Sequence, residues 1–210
     1  TALIGNAEQI WLAGTDGRLY SSALKEGKVK ALGNLDFSQT AVLALALLAQ
    51  NRLAVLQAKQ VHIIDLKTNS IAQSLEQIDV ATTLASSPDG LWFVIGFRQG
   101  KVAVYHAETL TSEFVLSSEG AVHQGQVTAL LFAPNELQFY SAGADKKLFL
   151  THARGSLQPL DKGKSSNHEL PISALLLGKE RLFTGAHDKS VKVWAYSGGQ
   201  PATLKQGLPN

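Results

Sequence analysis

Apolar residues recur along this chain in short alternating runs, and the runs themselves return at a nearly constant interval. Four segments look alike, LAGTDGRLYSS, VIGFRQGKVAVYH, SAGADKKLFLTHA and TGAHDKSVKVWAY, and VLQAKQVHIID falls into the same register. The column that holds aspartate in the best copies is Asp16, Ala58, Gln99, Asp145 and Asp188, at steps of 42, 41, 46 and 43 residues. Such even spacing indicates five repeat units.

Within each unit, apolar columns two residues apart predict strands that pack on at least one face. The first of these strands carries Trp11, Leu53, Val94, Tyr140 and Phe183, and then the small or slim residues Ala13, Val55, Gly96, Ala142 and Gly185. The next strand carries Leu19, Val61, Val102, Leu148 and Val191, followed two residues later by Ser21, Ile63, Val104, Leu150 and Val193. The column between the two strands, with Gly17 and Gly100, predicts a tight hairpin turn.

A further apolar run precedes each strand pair from the second unit on, and a more polar strand is expected to follow, as in Ser112–Ser118. Four short strands in a period of about 40 residues are typical of β-propeller blades. No helical periodicity is present, so the sequence predicts an all-β fold. We expect one domain over residues 1–210, with units at 1–38, 39–77, 78–121, 122–166 and 167–210.

Composition narrows the class of protein. Hydrophobic residues make up 45% and charged residues 17% of the 210 residues, which is typical of a globular chain. With 19 basic and 17 acidic residues the net charge is +2, which indicates neither a nucleic-acid partner nor an anionic membrane. The longest apolar run, Ala41–Ala49, is shorter than the roughly 18 residues that cross a membrane, and a buried strand explains it.

The absence of cysteine excludes disulfides, thiolate metal sites and a cysteine nucleophile. It fits a reducing compartment, and we expect a cytoplasmic or otherwise intracellular protein, with the nucleus left open. The sequence also contains no methionine, not even at its first position. We therefore expect it to be a processed or truncated part of a gene product, unless non-standard residues such as selenomethionine were lost from it.

The last two units carry a recurrent polar set. The fifth has His168 four residues before Ile172, then Thr184, Asp188 and Trp194. The fourth has His123 four residues before Val127, then Ser141 and Asp145, but Thr151 where a tryptophan is expected. These residues resemble the WD-repeat (WD40) family. The other units depart from its pattern, since the third has Tyr105 and Gln99, and the first keeps only Asp16 and Gly17.

The resemblance implies a β-propeller in which this polar set is structural. Aspartate at the turn is expected to fix the histidine by a hydrogen bond. The histidine then bonds the Ser or Thr hydroxyl, and that hydroxyl accepts the indole N–H of the tryptophan. Because many propellers of this family close with about seven blades, we expect these units to be part of a larger, seven-bladed ring. The remaining strands would come from missing segments or another chain. A closed five-bladed ring is the alternative.

No residue pattern predicts catalysis or a cofactor. The six histidines occur without HxxxH or HExxH spacing, so no metal site is expected. The pair His187-Asp188 has no GxSxG elbow to supply a nucleophile, and neither GxGxxG nor a P-loop is present. Asp188 is already accounted for as the turn aspartate of the fifth repeat unit.

Two features remain as candidate partner contacts. The column Gln9, Asn51, Gln138 and Arg181 is polar and is expected to face solvent, and Trp92 interrupts it. Trp92 is therefore either an exposed aromatic anchor or a residue covered by an outer loop. The column before the turn aspartate varies in chemistry, as Thr15, Gln57, Arg98, Ala144 and His187. A variable column on a fixed frame is how repeat proteins encode partner choice. Arg98 and His187 are the first candidates, with Thr15 and Trp92 beside them.

The sequence thus favours a non-enzymatic scaffold or adaptor that binds other proteins on a face or rim of the propeller. One alternative is an enzyme with a central-channel site, although the innermost strands carry no acid or histidine. Another is a nucleic-acid-associated platform, which the nearly neutral charge disfavours.

Overall fold

The computed structural model describes residues 2–14, 16–37, 40–76, 79–116, 122–134, 138–152, 168–179, 181–197 and 200–203. Within these ranges the chain forms 19 β-strands and no helix. The prediction of an all-β chain built from consecutive antiparallel sheets is confirmed. No described segment is a helix long and apolar enough to span a membrane.

The strands form five sheets, which we call blades 1 to 5, and each lies within one of the five sequence units. Blade 1 contains β1 (Ala2–Gly5), β2 (Gln9–Ala13), β3 (Arg18–Ala23) and β4 (Val29–Asp36). Blade 2 contains β5 (Ala44–Leu48), β6 (Arg52–Leu56), β7 (Gln60–Asp65) and β8 (Ser70–Glu76). Blade 3 contains β9 (Ala81–Ser86), β10 (Trp92–Phe97), β11 (Val102–His106) and β12 (Ser112–Leu116).

Blade 4 has three strands within the described residues, β13 (Val127–Phe132), β14 (Gln138–Gly143) and β15 (Leu148–His152). Blade 5 contains β16 (Ile172–Leu177), β17 (Arg181–Ala186), β18 (Val191–Ser197) and β19 (Gln200–Thr203). Each sheet is an antiparallel meander in chain order. Its first strand, the inner strand, contacts the inner strand of the next blade from β1 to β16.

The hairpin between the second and third strands has one geometry in four blades. In blades 3 and 4 the N–H of Phe97 donates to Lys101 O at 3.0 Å and that of Gly143 to Lys147 O at 3.3 Å. The third turn residue has positive φ in each of these blades, at Gly17 (74°), Gly100 (82°), Lys146 (66°) and Lys189 (64°). A left-handed residue at this point matches a three-residue hairpin loop.

Blade 2 has a hairpin one residue shorter, which corrects part of the column alignment. The N–H of Gln57 donates to Gln60 O at 2.8 Å, and Leu56, not Val55, pairs with Val61. Leu56 therefore aligns with Gly96, because Gly96 pairs with Val102. The slip also moves Arg52, in place of Asn51, into the column of Trp92. A one-residue shift exchanges the two faces of a strand, so Val55 faces the blade on the other side.

Each pair of neighbouring blades buries an apolar cluster between its facing sheets. One cluster joins Trp11 and Ala13 of blade 1 to Val42 and Leu45 of blade 2. Three others lie between blades 2 and 3, blades 3 and 4, and blades 4 and 5. The core is thus divided into layers, and each blade depends on its neighbours to cover its apolar faces.

We predict that Gly100→Ala destabilises the chain by at least about 2 kcal/mol. The new methyl group would lie 1.9 Å from His123 O, at a residue whose φ is +82°. Gly27 is a matched control, since its φ is +62° but no atom lies within 4 Å of an added Cβ. Gly27→Ala is expected to cost only the backbone strain, about 1 kcal/mol. Urea unfolding measures both, and equal losses would contradict the tight contact between blades 3 and 4.

Candidate functional site: the turn rim

One edge of the described array carries the hairpin turns between the second and third strands together with the segments that enter the inner strands. We call this edge the turn rim. Backbone hydrogen bonds hold the two parts together in three blades, from Arg98 N to Val80 O (2.9 Å), Ala144 N to Gln126 O (2.8 Å) and His187 N to Pro171 O (3.0 Å). The backbone that presents Arg98 and His187 is therefore fixed at both sides of the turn.

Blade 5 supports its turn with a chain of buried side-chain hydrogen bonds. His168 Nδ1 lies 3.0 Å from Asp188 Oδ2, and its Nε2 lies 2.8 Å from Thr184 Oγ1. The indole Nε1 of Trp194 donates to the same hydroxyl oxygen at 3.0 Å. Because the carboxylate only accepts, His168 donates from Nδ1 and accepts the Thr184 O–H at Nε2. Every member of this relay has a compatible partner.

Blade 4 has the same relay without its last member. His123 Nδ1 lies 2.9 Å from Asp145 Oδ1, and its Nε2 lies 3.0 Å from Ser141 Oγ. Thr151 occupies the tryptophan position, and its buried Oγ1 has no hydrogen-bond partner in the described part of the chain. The ring of Phe149 instead packs against His123, with centroids 4.9 Å apart and planes at 79°.

The turn aspartates are held as carboxylates. Burial raises the pKa of Asp145, but hydrogen bonds and the charge interaction with His123 lower it further, so the net pKa lies below its usual value. Backbone N–H groups of Gln124 and Lys147 donate to it at 3.0 and 3.1 Å. The pKa of Asp188 is likewise lowered, because bonds from Ser190, Glu169 and His168 outweigh the effect of burial. These contacts favour the charged form of both groups.

Blades 1 and 3 stabilise their turns differently. Asp16 accepts hydrogen bonds from Arg18 N at 3.1 Å and from the Tyr20 hydroxyl at 3.0 Å, and these contacts lower its pKa. In blade 3 the turn residue is the exposed Gln99. There Lys101 Nζ lies 2.9 Å from Asp79 Oδ2, and this ion pair joins the turn to the segment before β9.

Blade 2 contains a polar network that the sequence interpretation missed. His62 Nδ1 lies 2.8 Å from Ser74 Oγ, and its Nε2 lies 3.2 Å from Gln57 Oε1. Gln57 Nε2 in turn donates to Thr40 O at 2.7 Å. Gln57 is buried, so it is not a free contact residue of the variable column. The visible signal was a glutamine just after β6 and a histidine on β7, in a unit that lacks the turn aspartate.

The candidate contact residues fall on two different edges. Arg98 and His187 are exposed on the turn rim. Trp92 begins β10 at the opposite edge and keeps only 8% of its surface exposed. Its ring packs edge-on to His106 at 4.9 Å, so Trp92 is covered and is not an exposed anchor. Thr15 lies outside the described residues.

The polar column that Trp92 interrupts is only partly exposed. Gln138, expected to face solvent, is buried, and its Oε1 has no hydrogen-bond partner among the described residues. Gln9 and Arg181 of the same column are exposed. Within the described ranges no three His, Cys, Asp or Glu side chains are grouped to hold a metal ion.

Comparisons with known proteins agree with this architecture. No protein-family model matches the chain. Ribosomal RNA-processing protein 9 of Saccharomyces cerevisiae is 29% identical over 130 residues, which are 61% of this chain and 22% of that protein. WD repeat-containing protein 18 of Danio rerio is 28% identical over 147 residues, which are 64% of this chain and 32% of that protein. The chain therefore spans less than a third of the length of either relative.

Among solved structures, a chain in the crystal structure of the Mitotic Checkpoint Complex superposes with a TM-score of 0.74 at 21% identity. The match covers 92% of this chain and 60% of that one. The fold is thus that of a WD40 β-propeller. In sequence the chain is similar to WD-repeat proteins, which confirms the resemblance at the level of the family.

We predict that His168→Ala lowers the free energy of unfolding by about 3 kcal/mol, because the buried Thr184 O–H loses its acceptor and Asp188 loses one of its donors. His187→Ala is the matched control, since this histidine adjoins Asp188 in sequence but is exposed. It should change stability by no more than about 0.5 kcal/mol. Denaturant titration measures both variants, and similar losses would show that the relay contributes nothing specific.

The blade 2 network predicts a pH effect. Burial lowers the pKa of His62 from its ordinary value of 6.5, so the folded chain favours the neutral ring more than the unfolded chain does. This stabilisation is complete above pH 6.5 and is lost as the pH falls from that value toward the folded pKa. His62→Asn should therefore weaken the decline in stability between neutral pH and about pH 5. Parallel curves for the two proteins would contradict the assignment.

Proposed function

We propose that the chain is a non-enzymatic scaffold whose turn rim binds a protein partner. The observation that carries this proposal is the contrast between a rigid rim backbone and exposed, variable side chains upon it. The backbone N–H groups of Arg98 and His187 are hydrogen bonded to the entering segments, while both side chains are exposed to solvent. A binding residue on a preordered backbone loses little conformational entropy when a partner docks.

Charge suggests the chemistry of the partner. Arg98, Lys146 and Lys189 are exposed on the turns of three consecutive blades. The acids of the turns in blades 4 and 5, Asp145 and Asp188, are directed at His123 and His168 instead. A protein segment with acidic side chains would complement this part of the rim, and such complementarity acts mainly on specificity and association rate.

The names of similar proteins support a role in assemblies. One solved neighbour belongs to the Mitotic Checkpoint Complex, one relative is named for ribosomal RNA processing and another is Actin-interacting protein 1-2 of Arabidopsis thaliana. The small net charge of +2 favours a protein over a nucleic acid as the direct contact. A central-channel enzyme is disfavoured, because the inner strands ALIG, ALALL, ATTLAS, VTALLF and ISALLL carry no acid, histidine or cysteine.

The test is affinity capture from nuclease-treated lysate with the Arg98→Ala and His187→Ala double variant. We expect recovery of protein partners to fall about tenfold, the loss that follows when a contact worth 1.4 kcal/mol is removed. Arg181→Ala is the matched control, since Arg181 is exposed at the start of β17, on the opposite edge. Trp92 is unsuitable for this test because truncating a buried indole opens a cavity.

Unchanged recovery by the double variant would contradict the turn rim as the binding surface. A partner lost after nuclease treatment alone would instead indicate that nucleic acid makes the contact. Equal losses from the double variant and from Arg181→Ala would contradict a defined site on the turn rim and indicate a general charge effect.

A further inference from the structure

The edge opposite the turn rim contains a junction between blades 2 and 3 that backbone hydrogen bonds hold in place. The N–H of Ala49, which follows β5, donates to Gly90 O at 2.9 Å, and Gly90 lies so close that an added Cβ would collide with the backbone of Ala49. The N–H of Ala107, which follows β11, donates to Leu91 O at 2.8 Å. We call these four residues, together with Arg52, the blade 2–3 junction.

The guanidinium of Arg52 spans this junction. Its Nε lies 3.4 Å from Ala49 O, and its Nη2 donates to Gln50 Oε1 at 2.7 Å, both within blade 2. Its Nη1 lies 3.4 Å from Ala107 O of blade 3. A side chain held from two blades has little rotamer freedom left to lose, so the cation is preorganised for a ligand.

The positive charge of Arg52 is not compensated by these contacts, because all three acceptors are neutral oxygens. Asp65 is opposite Arg52 in the ladder of β6 and β7, but its Oδ1 accepts the N–H groups of Lys67 and Thr68 at 2.7 and 3.3 Å. No ion pair among the described residues includes Arg52. Since a guanidinium has five N–H donors, two of them have no acceptor in the described part of the chain.

An exposed aliphatic side chain lies on the other side of Ala107. Leu91 is 43% exposed, although its own N–H donates to Asp89 Oδ1 at 3.0 Å and its carbonyl accepts the N–H of Ala107. Ala107 therefore contacts Leu91 through its N–H and Arg52 through its carbonyl. The junction thus presents a fixed cation and a fixed apolar group next to each other.

We propose that the blade 2–3 junction is a second docking site, which binds an extended acidic segment of a protein partner. A carboxylate of the segment bonds Arg52, and an aliphatic side chain two residues away packs on Leu91, since alternate residues of an extended chain share one face and are about 7 Å apart. A carboxylate matches the planar fork of a guanidinium, accepts two N–H bonds and neutralises the charge.

The chemistry of the junction favours a peptide over a nucleic acid, because one guanidinium beside an exposed leucine forms no continuous basic track for phosphates. The site lies on the edge opposite the turn rim. It therefore does not depend on the partner proposed for that rim.

The first experiment titrates the 210-residue chain with the peptide acetyl-aspartyl-alanyl-leucinamide and follows the amide signals by NMR. This peptide carries an acid and an aliphatic side chain two residues apart. We expect saturable shifts at the amides of Ala49, Gln50, Leu91 and Ala107 and at the Nε–H of Arg52. The asparaginyl analogue, which lacks the charge, should bind at least about tenfold more weakly, because hydrogen bonds between ionised groups are the stronger ones.

Variants separate a binding role from a purely structural one. Arg52→Gln should weaken peptide binding about tenfold, but it also removes contacts between the blades. Leu91→Ala removes only an exposed side chain, so it should weaken binding about threefold while the midpoint of thermal unfolding stays unchanged. Leu170→Ala is the matched control, since Leu170 is 46% exposed on the segment that enters β16. Unchanged binding by Leu91→Ala would overturn the proposal and leave Arg52 as a tie between blades.

Further controls decide between the other outcomes. Arg181 is an exposed cation on the same edge, at the start of β17. Absence of a saturable shift, shifts confined to the turn rim, or equal weakening by Arg181→Ala would each overturn the proposal. Inorganic phosphate that shifts the junction amides as strongly as the peptide would assign the guanidinium to a phosphate group instead. The Arg98→Ala and His187→Ala double variant should bind the peptide normally, so failure of the turn rim and failure of this site are distinguishable.

Discussion

The structure depends on one packing constraint: a blade is buried only when the inner strand of the next blade packs against its face. The contact between Gly96 and Val127 shows how close this approach is. Each blade is a small antiparallel sheet with two apolar faces, and it cannot cover them alone. The stability of each blade therefore depends on the neighbouring blades, and the buried apolar contacts are divided among four separate clusters. At the two ends of the described array, Leu3 of blade 1 and Leu176 of blade 5 remain 62% and 65% exposed.

The polar networks serve this packing by fixing where each inner strand begins. In blades 4 and 5 a histidine joins the entering segment to the turn aspartate. Blade 3 makes the connection with the Lys101–Asp79 ion pair, and blade 2 makes it through Gln57 and Thr40. The side chains that make the connection differ between blades, but in each case they join the turn to the segment that enters the inner strand. A turn secured in this way can vary its exposed side chains without moving its backbone, which is what a binding rim requires.

Much of the fold was predictable because the periodicity of a strand is local. Apolar residues at alternate positions and the turn column that contains Gly17 and Gly100 located the hairpins of blades 1, 3, 4 and 5. The structure adds that the third turn residue has positive φ in all four, including Lys146 and Lys189. Blade 2 was misaligned by one residue, since a shorter turn between Gln57 and Gln60 leaves no mark on the apolar pattern. The His62 network was missed because its partners, Thr40 and Ser74, are distant in sequence and become neighbours only after folding.

The candidate contact residues likewise differ in how far the sequence could predict their exposure. The exposure of Arg98 and His187 agrees with their place in hairpin turns that run along the surface, whereas Gln57 of the same predicted column is buried. The burial of Trp92 depends on His106 and on the turn from Ser87, and alternation along one strand does not reveal either contact. Column patterns thus predict which face a residue takes within its sheet, but not whether another element covers that face.

Hydrogen exchange of the inner-strand amides in the 210-residue chain tests the central claim most directly. If blades are stabilised by their neighbours, β5, β9 and β13, each with an inner strand on both sides, should exchange slowest, and β16 should exchange markedly faster. Equal protection of β13 and β16 would contradict the account, because the strand with an exposed Leu176 would then be as stable as one packed between two blades.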